Sequence, residues 1–162
     1  MEKEILVLYV DDEQANLNAF YASFRKQYQV YTASSGVEAK KILETNPIAV
    51  LVTDQRMPEM SGSQLLAEAA KMYPNQMRIL ITAYSDLDAL INAVNDGYIF
   101  KYLKKPWDEK KLEEAIEEAY SLYKHKIDLL AKEKKLDALK IKLTQSLDEE
   151  LKNKLGLDDE VV

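Results

Sequence analysis

The sequence predicts an α/β domain built on a parallel sheet, and three observations carry that prediction. Five short apolar runs punctuate the first two-thirds of the chain: ILVLYV (5–10), YQVYTA (28–33), IAVLVT (48–53), MRILIT (77–82) and YIFKYL (98–103). Segments with helical periodicity separate each run from the next. No Asn-Gly or Asp-Gly pair joins two runs, since Asp96-Gly97 follows a helical segment, so hairpins do not connect them. Strand and helix alternating at this spacing give right-handed βαβ units, here a (βα)5 doubly wound domain.

Each element has its own justification. Three of the runs are nearly continuous in apolar and β-branched residues, as strands covered on both faces should be. In 14–26 the apolar side of a helix is Ala15, Leu17, Phe20, Tyr21 and Phe24; in 35–45 it is Val37, Ala39, Ile42 and Leu43. In 63–73 it is Leu65, Leu66, Ala69 and Met72, and in 86–95 it is Leu87, Leu90, Ile91 and Val94, with Ser85 and Asp88 spaced as a capping box. After Trp107 the character changes: from Asp108 to about Leu155 there is no Gly or Pro. Apolar residues at 112, 116, 119, 123, 127 and 130 mark one face of a helix whose first part should cover the sheet. AKEKK (131–135) interrupts that stripe. A second series follows at Leu136, Leu139, Leu143, Leu147, Leu151 and Leu155, before Gly156 as a stop. Ser146 with Glu149 is spaced to cap a separate short helix, so one long helix and a broken one both fit the pattern. The final LDDEVV is expected to fray.

Composition narrows the function. A chain of 162 residues suits one domain with a modest extension. Twenty-two basic against 28 acidic residues give −6, which disfavours a general nucleic-acid-binding surface. With no cysteine, disulfides and thiol chemistry drop out. The start, MEKEILVLYVDDE, has an apolar run too short for a signal peptide, and no segment approaches the roughly 18 apolar residues that span a membrane. The expectation is a cytoplasmic protein with no membrane association.

In an open parallel sheet, ligands bind outside the carboxyl ends of the strands. There the sequence places Asp11-Asp12-Glu13 after strand 1, Asp54 at the end of strand 3, Thr82-Ala83 after strand 4 and Lys104-Lys105-Pro106 after strand 5. Carboxylates that converge within a few ångström repel, so a cation must neutralise them or some must hold protons. An all-oxygen set without His or Cys selects a hard ion, Mg²⁺, or Mn²⁺ in its place. Together with the Thr82 hydroxyl and the Lys105 ammonium, these parts suit a phosphoryl group carried on a carboxylate, with Asp54 as nucleophile.

The pieces VDDE, VTDQRMPEMSG, ILITA and YLKKPW, in that order and spacing, resemble the receiver domain of two-component response regulators. The resemblance covers about residues 4–121 and implies a flavodoxin-like strand order 2-1-3-4-5, leaving 122–162 as a helical extension. It implies Asp54 as phosphoacceptor, and Asp12 and Asp11 as metal ligands, Asp11 through water. It further implies the backbone carbonyl of Arg56 as a ligand, and Thr82 and Lys105 as partners of the phosphoryl oxygens. Lys105 is preferred over Lys104 because the family's lysine directly precedes its proline, in a bond that is often cis. Tyr102 falls on the family's switch aromatic. Arg56 and Tyr84 depart from the commonest pattern at positions that flank the path of hydrolytic water, and are expected to tune the lifetime of the phosphorylated state. The implied partners are a histidine kinase or phosphotransfer protein, and, for the extension, a second copy or an output protein.

Blander readings stand beside these. Asp54 alone reads as a turn acid, Asp11-Asp12-Glu13 as a helix N-terminus, Thr82 as core or cap, and Tyr102 as packing. His125 lacks the neighbours of a phosphoaccepting histidine and reads as a solvated helix residue. Lysines outnumber acids seven to three over 124–142, but they interleave with the apolar stripe, and a solvated face is the better reading. The leucine series steps mostly by four, so it is not a strict coiled coil, and packing back onto the domain is an alternative. Two rival functions remain: an aspartate-nucleophile phosphatase, from which Arg56 removes the general acid, and a receiver-like scaffold without phosphorylation, which would be expected to lack one of Asp54, Thr82 or Lys105. No helix-turn-helix follows the domain, so direct DNA binding is not expected.

Overall fold

The computed structural model describes residues 5–83 and 87–156. The strands are β1 (Leu6–Val10), β2 (Gln29–Ala33), β3 (Val50–Asp54), β4 (Met77–Thr82) and β5 (Lys101–Lys104). They alternate with α1 (Gln14–Phe24), α2 (Gly36–Thr45), α3 (Gly62–Met72), α4 (Leu87–Asn95) and α5 (Glu109–Leu155). All pairings are parallel, in the order β2-β1-β3-β4-β5, so the predicted doubly wound α/β fold and its strand order are those observed. β3 and β4 are buried along their whole length, which explains their nearly continuous apolar wording. Register sets Tyr9 beside Val52, Val52 beside Ile79 and Ile79 beside Lys101 across the sheet.

The chain divides into two compact units, Met1–Lys124 and His125–Val162. The first has a core on each face of the sheet. One is rich in aromatics: Tyr9, Phe20, Phe24 and Tyr28 pack with Val7, Val52, Ile79 and the α5 residues Leu112, Ile116 and Ala119. Tyr9 stacks on Phe20 at 4.3 Å between centroids, an arrangement worth about 0.5–1.5 kcal/mol beyond area burial. The opposite core is aliphatic, with Leu8, Val10, Leu51 and Leu80 against Leu43, Leu65, Leu66 and Leu90. Alternate residues of β1 thus serve opposite faces, as the period of two requires.

The helical periodicity overcounted the buried side. Tyr21, Val37, Met72, Ile91 and Val94 are exposed, while Leu17, Ala39, Leu43, Ala69, Leu90 and Ala93 are buried. A helix on a sheet has a narrower contact stripe than its apolar residues mark out, and the small residues take the closest approach. β5 starts three residues later than the apolar run, because Asp96-Gly97-Tyr98 closes α4: Gly97 has φ +72° and the Tyr98 amide donates to Ala93 O at 3.1 Å. Tyr84, the Ser85 cap and the side chain of Leu87 lie outside the described residues, as does the expected frayed end, 157–162.

α5 runs without a break through AKEKK and Ser146, so the separate capped helix does not form. Gly156, at φ +64°, follows its end. Within His125–Val162, every described residue is exposed. No helix among the described residues is long and apolar enough to cross a membrane.

Candidate functional site

β1 and β3 lie side by side, so their carboxyl ends bring two acids together. Asp54 is the last residue of β3 and only 5% exposed; Asp11 directly follows β1 and is fully buried. Asp12, next in the chain, is exposed. One carboxylate oxygen from each of Asp11, Asp12 and Asp54 lies within 4.8 Å of the others. From β5, Lys105 extends its ammonium to 2.9 Å from Asp54 Oδ1 and 3.5 Å from Asp11 Oδ2, while Lys104 is exposed. The Lys105–Pro106 peptide is cis. Thr82 ends β4, one position beyond Ile81, the register partner of Asp54, and its hydroxyl donates to Ala83 O at 3.1 Å. These four strand ends form one rim.

The other expected site residues sit around that rim or outside what is described. Arg56 is exposed in the loop after Asp54. Tyr102, in β5, is 52% exposed, its ring turned to solvent. Tyr84 lies outside the described residues.

Electrostatics follow from burial. Removal from water pushes the Asp54 carboxyl above the usual carboxylate range, and the Asp11 charge adds to this, against the opposing pull of Lys105. Burial alone would pull Lys105 down, but the Asp54 and Asp11 carboxylates outweigh it and hold its ammonium above the ordinary value. The rim thus gathers three carboxylates, two of them within 3.5 Å of the Lys105 ammonium.

Tyr9, Asn16 and Gln55 support the rim but were not singled out from the sequence. Tyr9 Oη donates to Asp11 Oδ2 at 2.8 Å, Asn16 Nδ2 donates to the same oxygen at 3.0 Å, and the Glu13 amide donates to Oδ1 at 2.9 Å. Burial, and next the Asp11 charge, push the Tyr9 hydroxyl well above its ordinary range, so it stays a donor. The signal for Tyr9 was present: it stands two residues before Asp11 on a strand, hence on the same face. Beyond β3 the chain must turn back tightly. A Cβ on Gly62 would stand 2.1 Å from the Asp54 carbonyl oxygen, so only glycine admits this approach. Gln55 pins the same turn, donating to Ser63 Oγ at 3.1 Å and accepting from the Ser63 amide at 2.9 Å.

A parallel α/β fold with buried carboxylates and a lysine at the carboxyl-end rim defines a class, the flavodoxin-like domains that handle anionic groups there. The family model described as response regulator receiver domain matches residues 7–117, and this chain belongs to that family, the receiver domain of two-component signal transduction. Over 118 residues the chain is 35% identical to the hydrogenase transcriptional regulatory protein HoxA of Cupriavidus necator, covering 73% of this chain and 24% of that protein. It is also 35% identical over 115 residues to the sensor kinase CckA of Brucella abortus, covering 69% of this chain and 12% of that protein. A response regulator receiver domain protein from Clostridium thermocellum superimposes with a TM-score of 0.70 at 35% identity, covering 74% of this chain and 97% of that one. The chain thus spans a quarter or less of these two curated relatives. Equal likeness to parts of a transcriptional regulator and of a kinase means the receiver region does not fix the output.

Proposed function

We propose that this chain is a phosphorylation-dependent switch in which Asp54 accepts a phosphoryl group from a histidine kinase or a phosphotransfer protein. The observation that carries this reading is the gathering of the Asp11, Asp12 and Asp54 carboxylates within 4.8 Å, with Lys105 at 2.9 Å from Asp54. In the transfer, an Asp54 carboxylate oxygen bonds to phosphorus as the donor's phosphorus–nitrogen bond breaks. The electron pair leaves on the donor imidazole, which takes a proton from solvent. Lys105, held cationic by its carboxylate neighbours, faces the incoming phosphoryl oxygens, and the Thr82 hydroxyl offers them a donor. The chain acts only on its own phosphorylation and dephosphorylation and turns over no external substrate.

The donor set fits a hard divalent ion: every candidate ligand is oxygen, and the three side-chain oxygens are close enough to share one centre. Asp11, Asp12 and Asp54, with the Arg56 carbonyl, would hold Mg²⁺ or Mn²⁺, which supplies charge neutralisation for the crowded carboxylates and the phosphoryl group. Asp11 arrives already oriented by Tyr9, Asn16 and the Glu13 amide.

Phosphorylation places roughly −1.5 to −2 charges and three acceptor oxygens at the rim. Thr82 moves toward one of them, and the ring of Tyr102, now 52% exposed, turns into the space vacated. The surface of α4, β5 and the start of α5 changes with it, and residues 122–162 pass that change to a second copy or an output protein. Arg56 and Tyr84 slow the loss of the phosphoryl group.

The test is incubation with acetyl phosphate and Mg²⁺, read by intact mass. The wild type gains one phosphoryl group, and Asp54→Asn or a metal chelator prevents it; a gain that survives either removes the reading. Arg56→Ala or Tyr84→Ala shortens the half-life of the phosphorylated form, and unchanged lifetimes in both remove the tuning role.

A further inference from the structure

We propose that the helix of the His125–Val162 unit pairs with its equivalent in a second copy of this chain, antiparallel, in the register that sets Leu136 of one copy against Leu147 of the other. The two-fold axis then falls between Ile141 and Lys142. The inference rests on reading residues 122–162 as a pairing helix, and supplies the partner and its orientation.

Three observations carry it. First, the unit has an apolar face that none of its described residues buries: Leu129, Leu136, Leu139, Leu143, Leu147 and Leu151 are 46–63% exposed. Most helical stability in proteins comes from packing such a face, and local pairs like Lys140–Asp137 and Lys154–Glu150 contribute only tenths of a kcal/mol in general. Second, at about 100° per residue the leucines other than Leu139 fall within an arc of about 80°, and Leu139 about 40° beyond it. That is the width of a contact with a single helix. Sets of 3, 4 and 4 from Leu136 to Leu147 make an 11-residue repeat, which keeps a stripe nearly straight where a seven-residue repeat would not.

Third, charge selects the orientation. Residues 125–142 carry six lysines against three acids, +3, whereas the helical residues 143–155 carry three acids against two lysines, −1. A parallel copy sets basic half on basic half, whereas an antiparallel copy sets basic on acidic. One pair states this sharply. Lys132 and Glu150 are 18 residues apart, about five helical turns, so they lie on the same edge of the leucine stripe. In the proposed register they face each other across the seam, twice per dimer. Flanking charges of this kind set partner orientation in paired helices.

Sedimentation equilibrium on the full chain, beside circular dichroism to confirm that the helix persists, is the first test. The wild type dimerises. Lys132→Glu weakens the dimer about tenfold, by turning two attractions into repulsions, and adding Glu150→Lys restores it to within about twofold. Because the chain has no cysteine, Ala131→Cys and Gln145→Cys each accept a single spin label, and both sit on the side away from the stripe. Antiparallel pairing offsets the Ala131 labels by about 30 Å along the axis and the Gln145 labels by about 10 Å, whereas a parallel pair makes the two distances equal. A chain that stays monomeric, a reversal that is not rescued, or equal label distances each overturn the proposal. Labelling by acetyl phosphate is scored separately: a monomer that still accepts phosphate refutes only the pairing, and a dimer that does not refutes only the phosphoacceptor.

Discussion

Both rims of the sheet bury charge, and they do so in opposite ways. At the amino-end rim Arg78, 8% exposed, gives Nε to Tyr98 O at 2.8 Å and one terminal nitrogen to Gln76 O at 2.7 Å and Tyr73 O at 3.2 Å. Burial depresses its affinity for a proton, yet the guanidinium is wrapped by backbone carbonyls and closes the turns around it. At the carboxyl-end rim Asp54 meets Lys105 and the Gln55 amide, and its carboxylate is held against the neighbouring Asp11 charge. The first arrangement saturates a charge to fix structure. The second gathers three carboxylates beside Lys105, and under the proposed function that crowding is what a divalent cation would relieve.

The contrast breaks or sharpens under substitution. The largest expected effect is on Asp54: Asp54→Asn loses all phosphoryl gain by intact mass while remaining folded. At the other rim Arg78→Met removes the side-chain donor to the Tyr98, Gln76 and Tyr73 carbonyls, the last of which keeps the Gln76 amide, and lowers the unfolding free energy by about 3 kcal/mol in urea titration, with labelling per folded molecule unchanged. If Arg78→Met also abolished labelling in folded protein, the two rims would not be separable. Gly62→Ala drives a methyl into the Asp54 carbonyl, costing about 2 kcal/mol and slowing labelling together, since the turn it opens carries Gln55 and Arg56. Tyr9→Phe removes one of the donors to Asp11 and costs about 1 kcal/mol, with a few-fold rise in the Mg²⁺ concentration needed for half-maximal labelling.

The smallest effect is a dependence on pH. The folded protein holds the Asp54 carboxyl above its ordinary value, so the fold binds that proton more tightly than the unfolded chain does. This contribution is present below the unfolded carboxylate pKa and is lost as pH rises through the folded one. Asp54→Asn therefore melts close to wild type at low pH and above it near neutrality, and Mg²⁺ closes the gap by stabilising only the wild type. A gap that widened toward low pH would reverse the assigned crowding.

The sequence made the sheet legible because short, nearly continuous apolar runs and the turn residues that bound them are local signals: ILVLYV and MRILIT sit where β1 and β4 are found. The rim was legible for the same reason, since a residue that ends a strand needs only the strand to place it. Less legible were contacts made across the chain. Arg78, in the apolar run MRILIT, shows no local sign of the Tyr73 and Tyr98 carbonyls it will meet, and Gly62 looks like an ordinary turn glycine until the Asp54 carbonyl lies beneath it. The exposed Val37 and Met72 show the converse failure, because periodicity marks an apolar side without saying how much of it a sheet covers. The continuity of α5 through AKEKK follows from helix propensity in a segment with no Gly or Pro, where a missing apolar stripe need not end a helix.

Trp107 is the chain's single indole, two residues past Lys105 and with its ring centroid 6.1 Å from those of both Phe20 and Phe24. Its neighbour in the aromatic core, Tyr9, is hydrogen-bonded to Asp11. The protein thus carries a built-in optical gauge: under the proposed function, Trp107 emission is expected to shift, without any dye, when an ion or a phosphoryl group arrives at the far end of that stack.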